Sequence, residues 1–306
     1  MIVRPMQSWF RMLFVWNGSV LQSIIPQLIF MGVLSSLAVL THGRVFGEKI
    51  PLSAAPFTLF GLTLAIFLVF RNNASYARFT EGRLLWGNML VSSRTLMSQV
   101  LSYLPESVDE MGRAHVANTL IASIYALKHQ LRETDATEDL VRLLGEQRAK
   151  ELAHKVYKPI AILNDMRSYL AAPNGVPLKS DMTRWMLDTQ INDLERSVGG
   201  CERIASTPIP FSYSVLLHRT VYAYCMLLPF GLVDSTEIFT PLVCVFIAYT
   251  LIALEAIANE VAEPFSLAPN ALALDVLTRT IERSILEICG REIPAEITPV
   301  RPYQFT

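Results

Sequence analysis

The chain has 306 residues, 52% of them apolar and only 17% charged, with a formal net charge of −1. Near-neutrality without a Lys/Arg block removes the electrostatic footprint that nucleic acid or a polybasic membrane anchor requires. A mean hydropathy of +0.36 is high for a soluble domain and low for a chain made of spans alone, so part of the molecule lies in lipid and part in water.

The first uncharged run covers residues 13–41, too long for the apolar core of a cleaved leader and without a convincing cleavage site. It predicts a span near 20–41, kinked or broken near Ile25 by Pro26. After a short mixed loop, 42–50, with Arg44, Glu48 and Lys49, the run 51–70 carries no charge in twenty residues. A helix of that length rises about 30 Å, the thickness of a bilayer's hydrocarbon core. It stops at the polar string Arg71-Asn72-Asn73-Ala74-Ser75-Tyr76-Ala77-Arg78.

Beyond it the composition turns charged. Ile121, Ile124, Leu127 and Leu131, then Leu140, Leu143 and Leu144, recur at helical spacing, which predicts water-exposed cytoplasmic helices near 81–205. Pro159 and Pro173-Asn174-Gly175-Val176-Pro177 mark a helix break and a loop. The runs 221–233 and 238–254, separated by Asp234-Ser235-Thr236-Glu237, predict spans near 212–233 and 238–254, and a last cytoplasmic stretch follows near 265–295. Arg4 and Arg11 precede the first span and Arg71, Arg78, Arg83 and Arg94 follow the second, whereas the 234–237 turn is acidic. Positive residues stay inside, so both termini are expected in the cytoplasm and the protein in a plasma or inner membrane. The expected fold is all-α, a four-span helical membrane protein with a cytoplasmic helical layer. Because that layer is inserted between spans, residues 1–306 are read as a single unit.

Chemistry-bearing patterns are sparse. Cys201, Cys225, Cys244 and Cys289 show no Cys-x-x-Cys spacing, the histidines form no His-Glu-x-x-His pattern, and Glu255, Glu260 and Glu263 are not spaced as a compact metal box. With no nucleophile elbow or phosphate loop either, neither enzyme activity nor a metal or cofactor is expected. Arg219, 15 residues before the turn, and Glu255, 18 after it, reach nearly the same depth in an antiparallel hairpin. A charge at mid-membrane is costly, so these two are expected near one membrane face, paired or facing water. Leu62, Ile66 and Phe70 fall at i, i+4 and i+8 on one helical face. Several copies around an axis would stack them into apolar rings that gate by excluding water, although any apolar span offers such a stripe to lipid.

Arg78-Phe79-Thr80-Glu81-Gly82-Arg83-Leu84-Leu85-Trp86-Gly87 resembles the stretch that follows the pore helix in bacterial relatives of the bestrophins. Ser206-Thr207-Pro208-Ile209-Pro210-Phe211-Ser212-Tyr213 resembles the entry to their third segment, and Glu263-Pro264-Phe265 the junction after their fourth. The resemblance implies a homopentameric channel, embedded in membrane lipid, that passes small monovalent inorganic ions, by family chloride. It places Leu62, Ile66 and Phe70 in a hydrophobic neck above a cytoplasmic vestibule. A second constriction is expected within 178–186, on no assigned residue. In the animal members the Pro-Phe junction leads into a calcium-binding acidic cluster, but Ser266-Leu267-Ala268-Pro269-Asn270-Ala271 offers no carboxylate, so that site is expected to be absent or much weakened. The neck is aliphatic at Leu62 and Ile66, without the ring edges that favour anions, which leaves cation conduction open. The alternatives are a secondary transporter, which ordinarily shows paired halves with broken helices, and a membrane scaffold for a cytoplasmic partner.

Overall fold

The computed structural model describes residues 1–4, 8–45, 48–49, 54–104, 110–171 and 180–306. Its helices in chain order are α1 (Trp9–Met12), α2 (Leu21–Leu40), α3 (Ala54–Tyr103), α4 (Glu110–Arg132), α5 (Thr137–Leu144), α6 (Glu146–Ala153), α7 (Lys158–Ala171), α8 (Asp181–Ser206), α9 (Phe211–Thr236), α10 (Thr240–Ala262) and α11 (Leu274–Ile288). Arg44–Val45 and Glu48–Lys49 pair as a two-residue antiparallel ladder. The expected loop at 173–177, the start of the second span at 51–53, and residues 178–179 lie outside the described residues.

The chain forms two compact groupings, each discontinuous in sequence. One, apolar, comprises Pro5–Phe79 and Pro208–Glu263; the other, charged, comprises Met1–Arg4, Thr80–Thr207 and Pro264–Thr306. Three helical stretches are long and apolar enough to cross a membrane: Leu21–Leu40, Ala55–Tyr103 and Phe211–Ala262. The third is itself a pair, because α9 and α10 are joined by a 3-10 turn at Glu237–Phe239 and pack on each other. The four expected spans are therefore present.

Two boundaries differ from expectation. The break before the first span falls among residues 13–20 instead of at Ile25: Gly18 adopts a φ of 88°, and the Ser19 hydroxyl accepts the Leu21 amide at 3.2 Å to open α2. Pro26 sits early in α2 and forfeits only the bond to the carbonyl four residues back, so the helix continues through it. The second difference is α3, one uninterrupted helix of 50 residues, about 75 Å at 1.5 Å per residue. The polar string 71–78 ends the apolar run without ending the helix, since no proline or glycine occurs between Leu62 and Glu81.

In the apolar grouping α2 lies on α10 and α9, around a core that includes Met31, Leu64, Leu68, Val221, Leu228, Cys244 and Ile252. Lipid gives apolar helices no hydrophobic reason to associate, so close approach through small residues does the work. A β-carbon at Gly231 would stand 2.5 Å from the Phe57 ring, and one at Gly61 would stand 2.8 Å from the Tyr224 hydroxyl oxygen. Phe57 and Phe60 both lie against Tyr224, with ring centroids 6.0 and 5.8 Å away, which seats the first half of α3 on α9.

The charged grouping is built as a water-soluble domain is. α4 is its centre, buried almost continuously from Val116 to Leu127 and packed by α5, α7, α8 and α11. Fully burying a leucine or isoleucine such as Leu120 or Ile121 contributes about 1.5–3 kcal/mol each. α5 carries one apolar face, and its buried Leu140 joins Ala122, Ala126, Leu152 and Ile162 in a shared cluster. Burial, with Glu202 and Glu81 nearby, pushes the Cys201 thiol up to about 12, so it acts as an inert packing group.

Candidate functional site

The first half of α3 has two opposite faces. Leu64, Leu68, Arg71 and Ser75 repeat every three or four residues and are buried, none above 3% exposed. Roughly half a turn away at 3.6 residues per turn, Leu62, Ile66 and Phe70 point outward, at 61, 49 and 62% exposure. The structure thus brings the three expected neck residues onto one face with no packing partner inside the core. Below them an open groove of about 550 Å³ lies between Phe70 and Ala74 of α3 and Ile209, Pro210, Tyr213 and Leu216 at the entry to α9. The Tyr213 hydroxyl donates to the Phe67 carbonyl at 3.4 Å and ties the two helices together there.

The expected ion pair needs correction. Glu255 is buried, but its partners are His218 and Arg71, not Arg219. His218 Nδ1 lies 2.8 Å from Glu255 Oε1, and Arg71 Nη1 lies 3.9 Å from the same oxygen. Arg71 Nη2 also donates to the Asn259 side chain. Arg219 is exposed. Counting residues from the turn gives the depth of a side chain but not its direction, and one residue turns an α-helix by about 100°. Arg71 was missed as the partner because it reads as a flanking positive charge. Its signal is phase: it follows Leu64 and Leu68 on the buried ridge, where a charge needs a buried counter-charge.

Each grouping holds part of the motif stretches against its own portion of α3, Ile209, Pro210 and Tyr213 beside Phe70 in the apolar one and Phe265 beside Gly82 in the charged one. Within the apolar grouping Arg78 Nε donates to the Ala262 carbonyl at 2.9 Å, at the end of α10. Within the charged grouping Glu81 pairs with Arg203 of α8. A β-carbon at Gly82 would stand 3.2 Å from the Phe265 ring, so the Pro264-Phe265 junction lies directly against α3. Residues 180–186, the described part of the expected second constriction, open α8, with the Ser180 hydroxyl accepting the Thr183 amide at 3.2 Å. Met182 and Trp185 are exposed there.

Comparison with known proteins accounts for this arrangement. The family described as Bacterial/Fungal Bestrophin protein matches residues 1–287. The chain belongs to the bacterial bestrophins. An Escherichia coli K12 relative, named voltage-dependent anion channel-forming protein YneE, is 40% identical over the whole of both chains. A Ralstonia nicotianae relative, named voltage-dependent anion channel-forming protein RSc3414, is 39% identical over 95% of each. The crystal structure of a bacterial bestrophin homolog from Klebsiella pneumoniae superposes with a TM-score of 0.83 at 40% identity, covering 88% of this chain and 99% of that one. This bestrophin is accordingly a helical membrane protein. Among its described residues no group of His, Cys, Asp and Glu is placed to hold a metal ion.

Proposed function

We propose that this bestrophin is a passive ion channel in which five copies surround an axis and the stripe Leu62, Ile66 and Phe70 of each α3 forms the neck. The observation that carries the reading is the outward face of α3: three large apolar side chains in register, each about half or more exposed, on a helix seated by its other side. Five such stripes stack into three apolar rings, a constriction that excludes water until it widens. The curated relatives are named as anion channel-forming, which supports anions as the permeant species. Cation passage is the second reading, favoured by the aliphatic side chains of the upper two rings. In this reading both termini and the charged grouping lie in the cytoplasm of a plasma or inner membrane, residues 1–306 work as a single unit, no bond-making step is involved, and calcium is not a ligand at the Pro-Phe junction.

The deciding experiment is a reversal-potential measurement on purified protein in a planar bilayer under a salt gradient. The sign of the potential separates anion from cation conduction, and no current at all defeats the channel reading in favour of a scaffold. A native mass other than that of five subunits defeats the ring. Replacing Leu62, Ile66 and Phe70 together by Ala is expected to raise flux severalfold, and unchanged flux removes them from the pathway.

A further inference from the structure

The neck leaves part of the conspicuous 78–87 motif unused, namely Arg83, Trp86 and Gly87. All three line a cavity of about 880 Å³ in the charged grouping, between the second half of α3 and α11. The two chain ends close one side of it as a short clasp. The Val3 amide donates to the Tyr303 carbonyl at 2.9 Å, the Phe305 amide donates to the Met1 carbonyl at 2.8 Å, and the Arg4 guanidinium stacks over the Tyr303 ring at 4.8 Å.

Four arginines line the cavity: Arg83 and Arg94 from α3, Arg279 and Arg283 from α11. Two acids, Glu287 and Glu296, stand beside them, and Glu296 is taken up by Arg283 at 3.1 Å. Arg94 Nε donates to the Ser284 hydroxyl at 2.5 Å, and Arg279 reaches Glu282 with one nitrogen at 3.2 Å. Arg279 Nε and Trp86 Nε1 are buried donors with no acceptor among the described residues. A buried donor without a partner is costly, and a wall with two of them beside four guanidinium groups is short of acceptor oxygens. Planar guanidinium forks match carboxylate and phosphate oxygens. Most of the rest of the lining is apolar, including Leu90, Leu277, Ile281 and Phe305, and the volume is that of a small-molecule site, far beyond what a bare inorganic anion fills.

We propose that this cavity binds an organic anion, a carboxylate or phosphate group carried on an apolar body, with the arginines of α3 and α11 holding the head and the apolar wall holding the body. Gly87 supplies the means to test it. A β-carbon there meets nothing within 4 Å, so Gly87→Leu fills the cavity while improving the helix propensity of α3.

The experiment is calorimetric titration of the full chain in lipid nanodiscs, with empty nanodiscs subtracted. The ligands are 4-phenylbutyrate and phenyl phosphate, compared with the neutral 4-phenylbutan-1-ol and with inorganic phosphate. One saturable site per chain is expected for the two organic anions, whichever head is preferred, with at least tenfold weaker binding of the alcohol and of inorganic phosphate. Gly87→Leu is expected to abolish the site, and Arg83→Gln, at an exposed position, to weaken it at least fivefold. Equal binding of acid and alcohol, or undiminished binding to a correctly folded Gly87→Leu protein, overturns the proposal. Should Gly87→Leu fail to fold, undiminished binding to Arg83→Gln does so in its place. Because the readout is binding, it stands or falls separately from ion conduction.

Discussion

Glu255 in the apolar grouping and Glu282 in the charged one are both carboxylates buried almost completely, at 4 and 1% exposure. Their surroundings differ. Glu282 accepts from the Tyr125 hydroxyl at 2.6 Å and from Arg142 at 2.6 Å, and it pairs with Arg279 at 3.2 Å. Glu255 has His218 at 2.8 Å, while Arg71 stands off at 3.9 Å with Nε and Nη1 lacking a hydrogen bond among the described residues. The better-bonded carboxylate is not the one whose loss costs more. What matters is where the surviving cation goes: the Arg142 side chain is 44% exposed and Arg279 26%, so both reach water, whereas Arg71 at 3% cannot.

The largest effect is therefore expected from Glu255→Ala, which leaves Arg71 buried beside Asn259 alone and lowers stability by about 3–5 kcal/mol. Denaturant titration in mixed micelles measures it. Replacing both partners by leucine is expected to recover most of the loss, since an apolar pair needs no counter-charge. Glu282→Ala comes second, at about 1–3 kcal/mol, chiefly from the Tyr125 hydroxyl left without its acceptor. If Glu282→Ala proves the more damaging of the two, access to water is not what separates the sites.

Protons sharpen the comparison from the side of the charged grouping. Burial alone would raise the Asp139 carboxyl, but the His129 hydrogen bond with Lys128 and Arg142 nearby holds it below its ordinary 3.8. Burial is likewise outweighed at Asp275, by Arg132 and Lys128 above all. A lowered folded value adds stability that is present above about pH 4 and drains as the pH falls through it. Amide protection along α4 and α11, relative to the unfolded chain at the same pH, is expected to fall below about pH 4 and to do so less in Asp275→Asn. The smallest effect belongs to Arg219→Ala, within about 0.5 kcal/mol, because that side chain is exposed and is not the partner of Glu255.

The four spans were legible because uncharged runs of bilayer length leave few other readings, and the amphipathic spacing of 121–131 and 140–144 announced the α4 and α5 packing. The continuity of α3 was harder to see. A fall in hydropathy at Arg71 looks like an ending, and Asn72, Asn73 and Ser75 are residues that can cap a helix, yet 71–78 holds neither proline nor glycine and the helix runs through it. The break at Gly18 was signalled by Asn17-Gly18-Ser19, a turn sequence overshadowed by Pro26. Leu62, Ile66 and Phe70 were singled out by spacing and by the family resemblance, but spacing is shared by every face of an apolar helix. Their outward direction depends on what the opposite ridge packs against, which is tertiary information. The cavity beside Gly87 was invisible for the same reason: its arginines are drawn from two helices distant in sequence.

The unbroken course of α3 has a mechanical meaning. From Leu62 to Phe70 the rod offers no hinge, so a rotation of this helix about its own axis carries Leu62, Ile66 and Phe70 together, as a key shaft turns its bit. A few degrees there would swing three large side chains together, never one at a time.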